Sequence, residues 1–440
     1  MSVSNASARP RHLGSIAIIG ALFFVFGFVT WLNGPLITFV KYRFELNDFN
    51  AFLVLTVFYL SYLFLALPAS SILKRTGMKK GMSLGLFVMA IGAFAFGEFV
   101  LRGSYPGALA GLFTIGAGLA ILQTAANPYI SILGPIEGAA QRIAVMGICN
   151  KIAGALAPFA FATLVLAGIN KFDAQLAAAT PAGRQTLLDE FAAKVHVPYV
   201  AMAGVLAVLA VLLLRSPLPE IRAEDVNSTP ADSGSGSGKK SLAHYPHVWL
   251  GALCIFVYVG AEVMAGDAIG TYGAALGLPP SETSFFTTFT LIAMLVGYLV
   301  GLVVIPRFVS QQKYLAVSAV LGIVFTVGAF FTKGYVSVGF VAALGFANAM
   351  MWPAIFPLAI EGLGRLTERG SALLVMGIAG GAVIPQLFAA LKQHFDFQLV
   401  FLLLMVPCYL YILYFAKAGH KVGLAHRATA SATASAAVSN

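Results

Sequence analysis

Long apolar stretches alternate with short polar breaks along nearly the whole chain. They cover about 14–40, 50–73, 81–101, 106–133, 143–167 and 198–214, then 247–275, 284–305, 313–332, 336–360, 371–391 and 397–416. Each approaches or exceeds the roughly 20 apolar residues that cross about 30 Å of hydrocarbon as a helix. No run of short alternating strands appears, so the closed barrel, the other solution to backbone hydrogen bonding in lipid, is set aside. The pattern predicts an all-α membrane protein with 12 transmembrane helices in two six-helix bundles. The predicted organisation is an N-terminal bundle over 1–214, a cytoplasmic linker over 215–246, a C-terminal bundle over 247–417 and a disordered cytoplasmic tail over 418–440. The linker holds the run SGSGSG at 233–238, a composition that cannot pack a core. The polar start of the chain precedes an apolar run too long for a signal peptide, so that run is expected to remain as the first helix.

The halves echo one another. Ile136-Glu137-Gly138 is followed by Val145-Met146-Gly147-Ile148, and Ile360-Glu361-Gly362 by Val375-Met376-Gly377-Ile378. Both series fall between the fourth and fifth span of their half. A duplicated six-helix unit explains this, and parallel repeats place a ligand site between the halves near the bilayer midplane.

Composition agrees. The chain is 59% hydrophobic and 10% charged, against roughly a quarter charged in soluble proteins. The net charge of +10 needs no nucleic acid. Arg9, Arg11, Lys74, Arg75, Lys79, Lys80, Arg142, Arg215, Arg222, Lys239, Lys240, Arg307, Lys313, Arg365, Arg369, Lys417, Lys421 and Arg427 fall on the side that carries both termini and the linker, against Lys41, Arg43, Arg102, Lys171, Arg184, Lys194, Lys333 and Lys392 on the other. That bias makes this side cytoplasmic, and a bacterial inner membrane is the expected location. The cysteines, Cys149, Cys254 and Cys408, lie in apolar stretches without metal-ligand spacing. No Walker loop, nucleophile triad or zinc pattern is present. The expectation is therefore no enzyme, no catalytic residue, no metal site and no cofactor beyond a coupling ion, H⁺ or Na⁺. The seven histidines are assigned to loops, tails or span ends, His196 among them. A monomer in the lipid bilayer, with a small-molecule partner, is expected.

Three charges sit deep in spans, where they are costly and usually functional: Lys151 in the fifth, Glu262 and Asp267 in the seventh. Glu262 lies near mid-membrane with Tyr258 one turn before it on the same face. Asp267 is about 140° around the helix from Glu262, so the two should not face one cavity equally. Lys151 could form a static ion pair with either acid, or tune Glu262 as the group that exchanges a coupling cation, with Asp267 a further candidate for that coupling role. A second set comprises amides and aromatics: Gln123 and Asn127 four apart in the fourth span, Asn150 beside Lys151, Trp31 and Asn33 in the first, Asn348 and Trp352 four apart in the tenth. Sugars offer hydroxyls to amides and flat C–H faces to rings, which such pairs suit. The competing reading is interhelical hydrogen bonding.

The loop Ser70-Ser71-Ile72-Leu73-Lys74-Arg75-Thr76-Gly77-Met78-Lys79-Lys80 resembles the major facilitator signature, with Ser70 in place of its first glycine and Lys74 in place of its acid. Phe26-Gly27-Phe28-Val29-Thr30-Trp31-Leu32-Asn33-Gly34, Gln123-Thr124-Ala125-Ala126-Asn127-Pro128 and Gly147-Ile148-Cys149-Asn150-Lys151 resemble the fucose–proton symporter family, and within it the bacterial glucose/galactose transporter branch. The resemblance spans nearly the whole chain and implies secondary active sugar import with alternating access. Fucose symporters carry an Asp after the Asn that matches Asn33 and a Glu where Gln123 stands. Here those positions are Gly34 and Gln123, and Glu262 stands where that branch has Gln, a substitute carboxylate. The expected substrate is glucose or galactose. N-acetylglucosamine, fructose, mannose or fucose by the same mechanism, drug or metabolite efflux, and a non-transporting sensor are the alternatives.

Overall fold

The computed structural model describes residues 9–132, 139–220, 242–305, 307–363 and 366–423. Twelve of its helices are long and apolar enough to cross a membrane. They are α1 Gly14–Arg43, α2 Asp48–Thr76, α3 Met78–Leu101, α4 Tyr105–Asn127, α5 Arg142–Leu164, α6 Pro181–Arg215, α7 Pro246–Gly266, α8 Pro280–Val304, α9 Gln311–Phe331, α10 Gly334–Ile360, α11 Arg369–Leu391 and α12 Phe397–Lys417. The linker run 233–238, the first Ile-Glu-Gly triplet and the tail beyond Gly423 lie outside the described residues.

The polarity of the bundle is inverted relative to a protein in water. Phe64, Phe87, Ile91, Phe94, Leu164, Val205, Leu212, Phe331 and Leu403 face outward, while Asn33, Lys151, Glu262, Asp267 and Asn348 are buried. Hydrocarbon solvates the former and excludes the latter. The two halves meet along α2 against α11 and along α5 against α8.

Close helix approach depends on missing side chains. A Cβ on Gly27 of α1 would lie 1.9 Å from the Asn150 carbonyl oxygen on α5, and one on Gly380 of α11 would lie 1.8 Å from the Phe256 carbonyl oxygen on α7. The first and fifth helices of each half thus touch backbone to backbone, as small residues in membrane helices allow.

Several spans are discontinuous. α1 breaks at Leu32, α10 at Ala349–Met350, and α11 tightens to 3₁₀ geometry over Gly377–Ala379. Two breaks have a local cause. Pro35 and Pro353 each stand three residues after one, and proline removes an N–H and crowds the carbonyl four residues back. The single span expected over 247–275 is instead α7 plus a short helix, Ile269–Ala275, with Asp267 at the joint. The sixth span, expected to begin at 198, is a continuous helix from Pro181, capped by Thr180, whose side chain accepts from the Gly183 amide. Its polar first half is anchored: Asp189 pairs with Arg43 at 3.0 Å and His196 Nε2 lies 3.0 Å from Glu98 Oε1. His196 is therefore helical rather than in a loop. The surface assignment also fails for His247 and His420, which are buried and bond the carbonyls of Glu361 and Phe415.

In the loop between α2 and α3, Gly77 takes φ 82°. Glu220, just beyond α6, accepts the Lys79 amide at 2.9 Å, and Lys79 Nζ reaches the Ser216 carbonyl at 2.8 Å. An acid from the chain after α6 thus caps α3, in a loop where Lys74 takes the place of the expected acid.

Contacts between the halves gather at the end of the bundle opposite the linker. Lys392 pairs with Asp48, which also holds Lys41; Thr56 donates to Gln386 at 2.8 Å; Asn170 donates to Ser281 at 2.8 Å. That end is sealed.

Candidate functional site

A cavity of about 140 Å³ lies between the halves. Its walls come from α1, α2, α4 and α5 on one side and α7, α8, α10 and α11 on the other. It is smaller than the 300–1,000 Å³ usual for drug-sized ligands. A larger groove, about 710 Å³, opens between α1, α5 and α6, but apart from Cys149 and Ser216 its lining is apolar. Nothing there would orient a polar ligand.

At the centre of the smaller cavity, Lys151 of α5 pairs with Glu262 Oε1 of α7 at 3.0 Å, and its ammonium sits 4.6 Å from the Trp31 ring centroid. Lys151 and Glu262 are 6% and 8% exposed. A buried charge of either sign is sustained only by a partner, and truncating one member of such a pair leaves the other costly. The aromatic face adds a second partner for the cation. The pair bridges the two halves, so the choice left open by the sequence, Glu262 or Asp267, falls on Glu262.

The amides line the same space. Gln123 Nε2 donates to the Tyr62 hydroxyl at 3.1 Å and Asn150 Nδ2 to the Phe23 carbonyl at 3.4 Å. Asn127 lies one turn beyond Gln123 on the same wall. Trp352 faces them from α10, stacked on Phe356 at 5.7 Å. Flat rings, amide groups and one ion pair converge on a volume suited to a small polyhydroxylated ligand.

Three sequence-predicted residues stand elsewhere. Asn348 is fully buried within the second half, accepting from the Tyr409 hydroxyl at 3.0 Å. Its expected shared face with Trp352 fails because α10 breaks between them. Asn33 lies beyond the α1 break from Trp31 and does not line the cavity. Asp267 is also outside it, buried to 1% and bonded to the Tyr59 hydroxyl at 3.2 Å, as the helical rotation from Glu262 predicts. Conversely, the sequence reading missed Tyr59, Tyr62 and Tyr298, which complete the lining. Tyr59 and Tyr62, three apart in mid-span, carry a signal: a hydroxyl placed that deep needs a polar partner.

The Major Facilitator Superfamily family model matches residues 19–385. A glucose/galactose transporter of Brucella abortus is 32% identical over 421 residues, covering 95% of this chain and 97% of that protein. The L-fucose-proton symporter of Escherichia coli is 29% identical over 388 residues, 86% of this chain and 87% of its own. Among solved structures, a major facilitator transporter, FucP, in the outward conformation superposes with TM-score 0.74 at 26% identity, over 93% of this chain and 99% of that one.

Proposed function

The chain belongs to the major facilitator superfamily, and on that premise we propose that it imports a hexose of the glucose/galactose type by cation-coupled symport with alternating access. The observation that carries this is the convergence of Trp31, Lys151 and Glu262 with Gln123, Asn127, Asn150 and Trp352 on one small cavity between the halves. The names borne by its relatives support the substrate class. The cavity's size and its ion pair argue against efflux of large apolar compounds. The excess of Lys and Arg on the linker side supports cytoplasmic termini in a bacterial inner membrane, so the end where Lys392 meets Asp48 faces outward.

In this mechanism the amides and ring faces hold the sugar. Glu262, released from Lys151 by sugar or cation, takes the coupling ion, a proton on its carboxylate or sodium through its oxygens. The halves then rock about the site. Because the pair spans both halves, an event at either residue is felt by the other.

Growth of a sugar-uptake-deficient strain on glucose, galactose, N-acetylglucosamine, fructose, mannose and fucose identifies the substrate. With that sugar, Glu262→Gln is expected to bind by calorimetry within a few-fold of wild type and to lose accumulation against a gradient. Undiminished concentrative uptake by this variant would remove Glu262 from coupling.

A further inference from the structure

Between the cavity and the end opposite the linker, α1 and α7 meet at their discontinuities. The Trp31 ring packs on Gly266, and Asp267 packs on Gly34, so close that a Cβ on Gly34 would lie 3.2 Å from Asp267 Oδ1. Asp267 is 1% exposed. Its Oδ2 accepts from Tyr59 of α2 at 3.2 Å and the Gly34 amide faces the carboxyl from α1, while Oδ1 makes no hydrogen bond of ordinary geometry. Beside this contact Asn33 Nδ2 is a second buried polar atom without a partner. The nearby charged groups are Glu262 on the same helix and Lys151 on α5, and these pair with each other. The titratable group facing from α2 is Tyr59; α1 contributes Asn33 and Gly34, and α8 contributes Thr287, whose hydroxyl is committed to the Gly266 carbonyl at 2.8 Å. Among the described residues no cation pairs with Asp267.

An ionised carboxylate this buried, with one oxygen unsatisfied, is unfavourable. A neutral carboxylic acid in the same place costs less, since it carries no net charge to desolvate. Separation of the halves at this end would hydrate the group and remove the cost of charge. We infer that Asp267 is a second proton-binding site, distinct from the Lys151–Glu262 pair, which takes up a proton as this end closes and releases it as the end opens. Asp267 and Tyr59 belong to opposite halves, so the contact exists only when the halves are together. The inference rests on the alternating-access reading above and adds to it where a proton is held.

The test uses full-length protein in nanodiscs, with spin labels on Gln175 and Ala275, exposed positions on either half at this end, in a Cys149→Ser background. Pulsed dipolar distances are recorded between about pH 5 and 9, a range that spans ordinary and buried carboxyl titration. The wild type is expected to pass from a mostly short distance at low pH to a several-fold larger long-distance population at high pH. Asp267→Asn should stay short throughout. A transition that survives in Asp267→Asn would overturn the assignment. No sugar is needed, so failure of hexose uptake leaves the result interpretable; distances that respond to sugar but never to pH would reject the proton site and leave transport standing. Should Asp267→Asn fail to fold, wild-type protein treated with dicyclohexylcarbodiimide, which attacks protonated carboxyls in apolar surroundings, gives a second readout. Mass spectrometry should find the adduct on Asp267 more than on Glu262, falling as pH rises. No adduct on Asp267 at any pH would also overturn it.

Discussion

Lys151 is held from two sides, by the Glu262 carboxylate and by the Trp31 ring. Lys151→Ala would leave Glu262 buried without its cation, a loss of about 3–5 kcal/mol for a pair of this kind. The purified variant should unfold at markedly lower temperature and lose uptake. The double variant Lys151→Met/Glu262→Met separates stability from function. Replacing both charges by apolar groups of similar volume is commonly neutral or stabilising, so its melting temperature should return toward wild type while accumulation stays absent. Recovery of accumulation in the double variant would make the pair structural. The sequence exposed these charges because their cost in a span marks them. It could not choose between Glu262 and Asp267, because the break after Gly266 sets how much of α7 faces the cavity, and no local residue pattern encodes that. Tyr59, Tyr62 and Tyr298 were hidden for a different reason: tyrosine also fits an apolar wall, and only the fold reveals where the hydroxyl points.

At the level of helices, the backbone contacts at Gly27 and Gly380 define how α1 meets α5 and α7 meets α11. Neither clash involves the far end of a flexible side chain, so a methyl group must displace a helix. Gly27→Ala and Gly380→Ala are each expected to cost about 1–3 kcal/mol, as overpacking generally does, read as lower thermal stability in detergent. Gly27→Ala should also reduce sugar affinity, since it pushes on Asn150 beside the cavity. Unchanged melting in both variants would contradict the close contact. The spans themselves were legible from length and hydropathy alone. Their discontinuities were less so. Pro35 and Pro353 stand just after two of them, but no local pattern says that Asn33 and Asn348 are carried away from Trp31 and Trp352. The polar first half of α6 carries too little hydropathy to count as part of a span; Thr180 caps it, and Arg43 and Glu98 supply the partners that make a helix there favourable.

Across the whole molecule, closure at one end depends on a few polar contacts between halves. The Lys392 side chain is only 8% exposed where it meets Asp48, so this pair is better shielded from water and salt than an open surface bridge. Lys392→Ala should favour separation of the halves there. In a Thr56→Cys background, modification by a membrane-impermeant thiol reagent should then run several-fold faster, and an unchanged rate would exclude a latch. The place of the cavity between the halves was legible in the repeated sequence pattern; which end the halves join at was not, because it is a balance between two packings of the same helices. Purified protein in liposomes, given radiolabelled glucose and galactose under separately imposed proton and sodium gradients, tests the transport reading as a whole. Internal sugar should rise above the external concentration under one gradient with wild type and only equilibrate with Glu262→Gln. Failure to concentrate any monosaccharide under either gradient would contradict it.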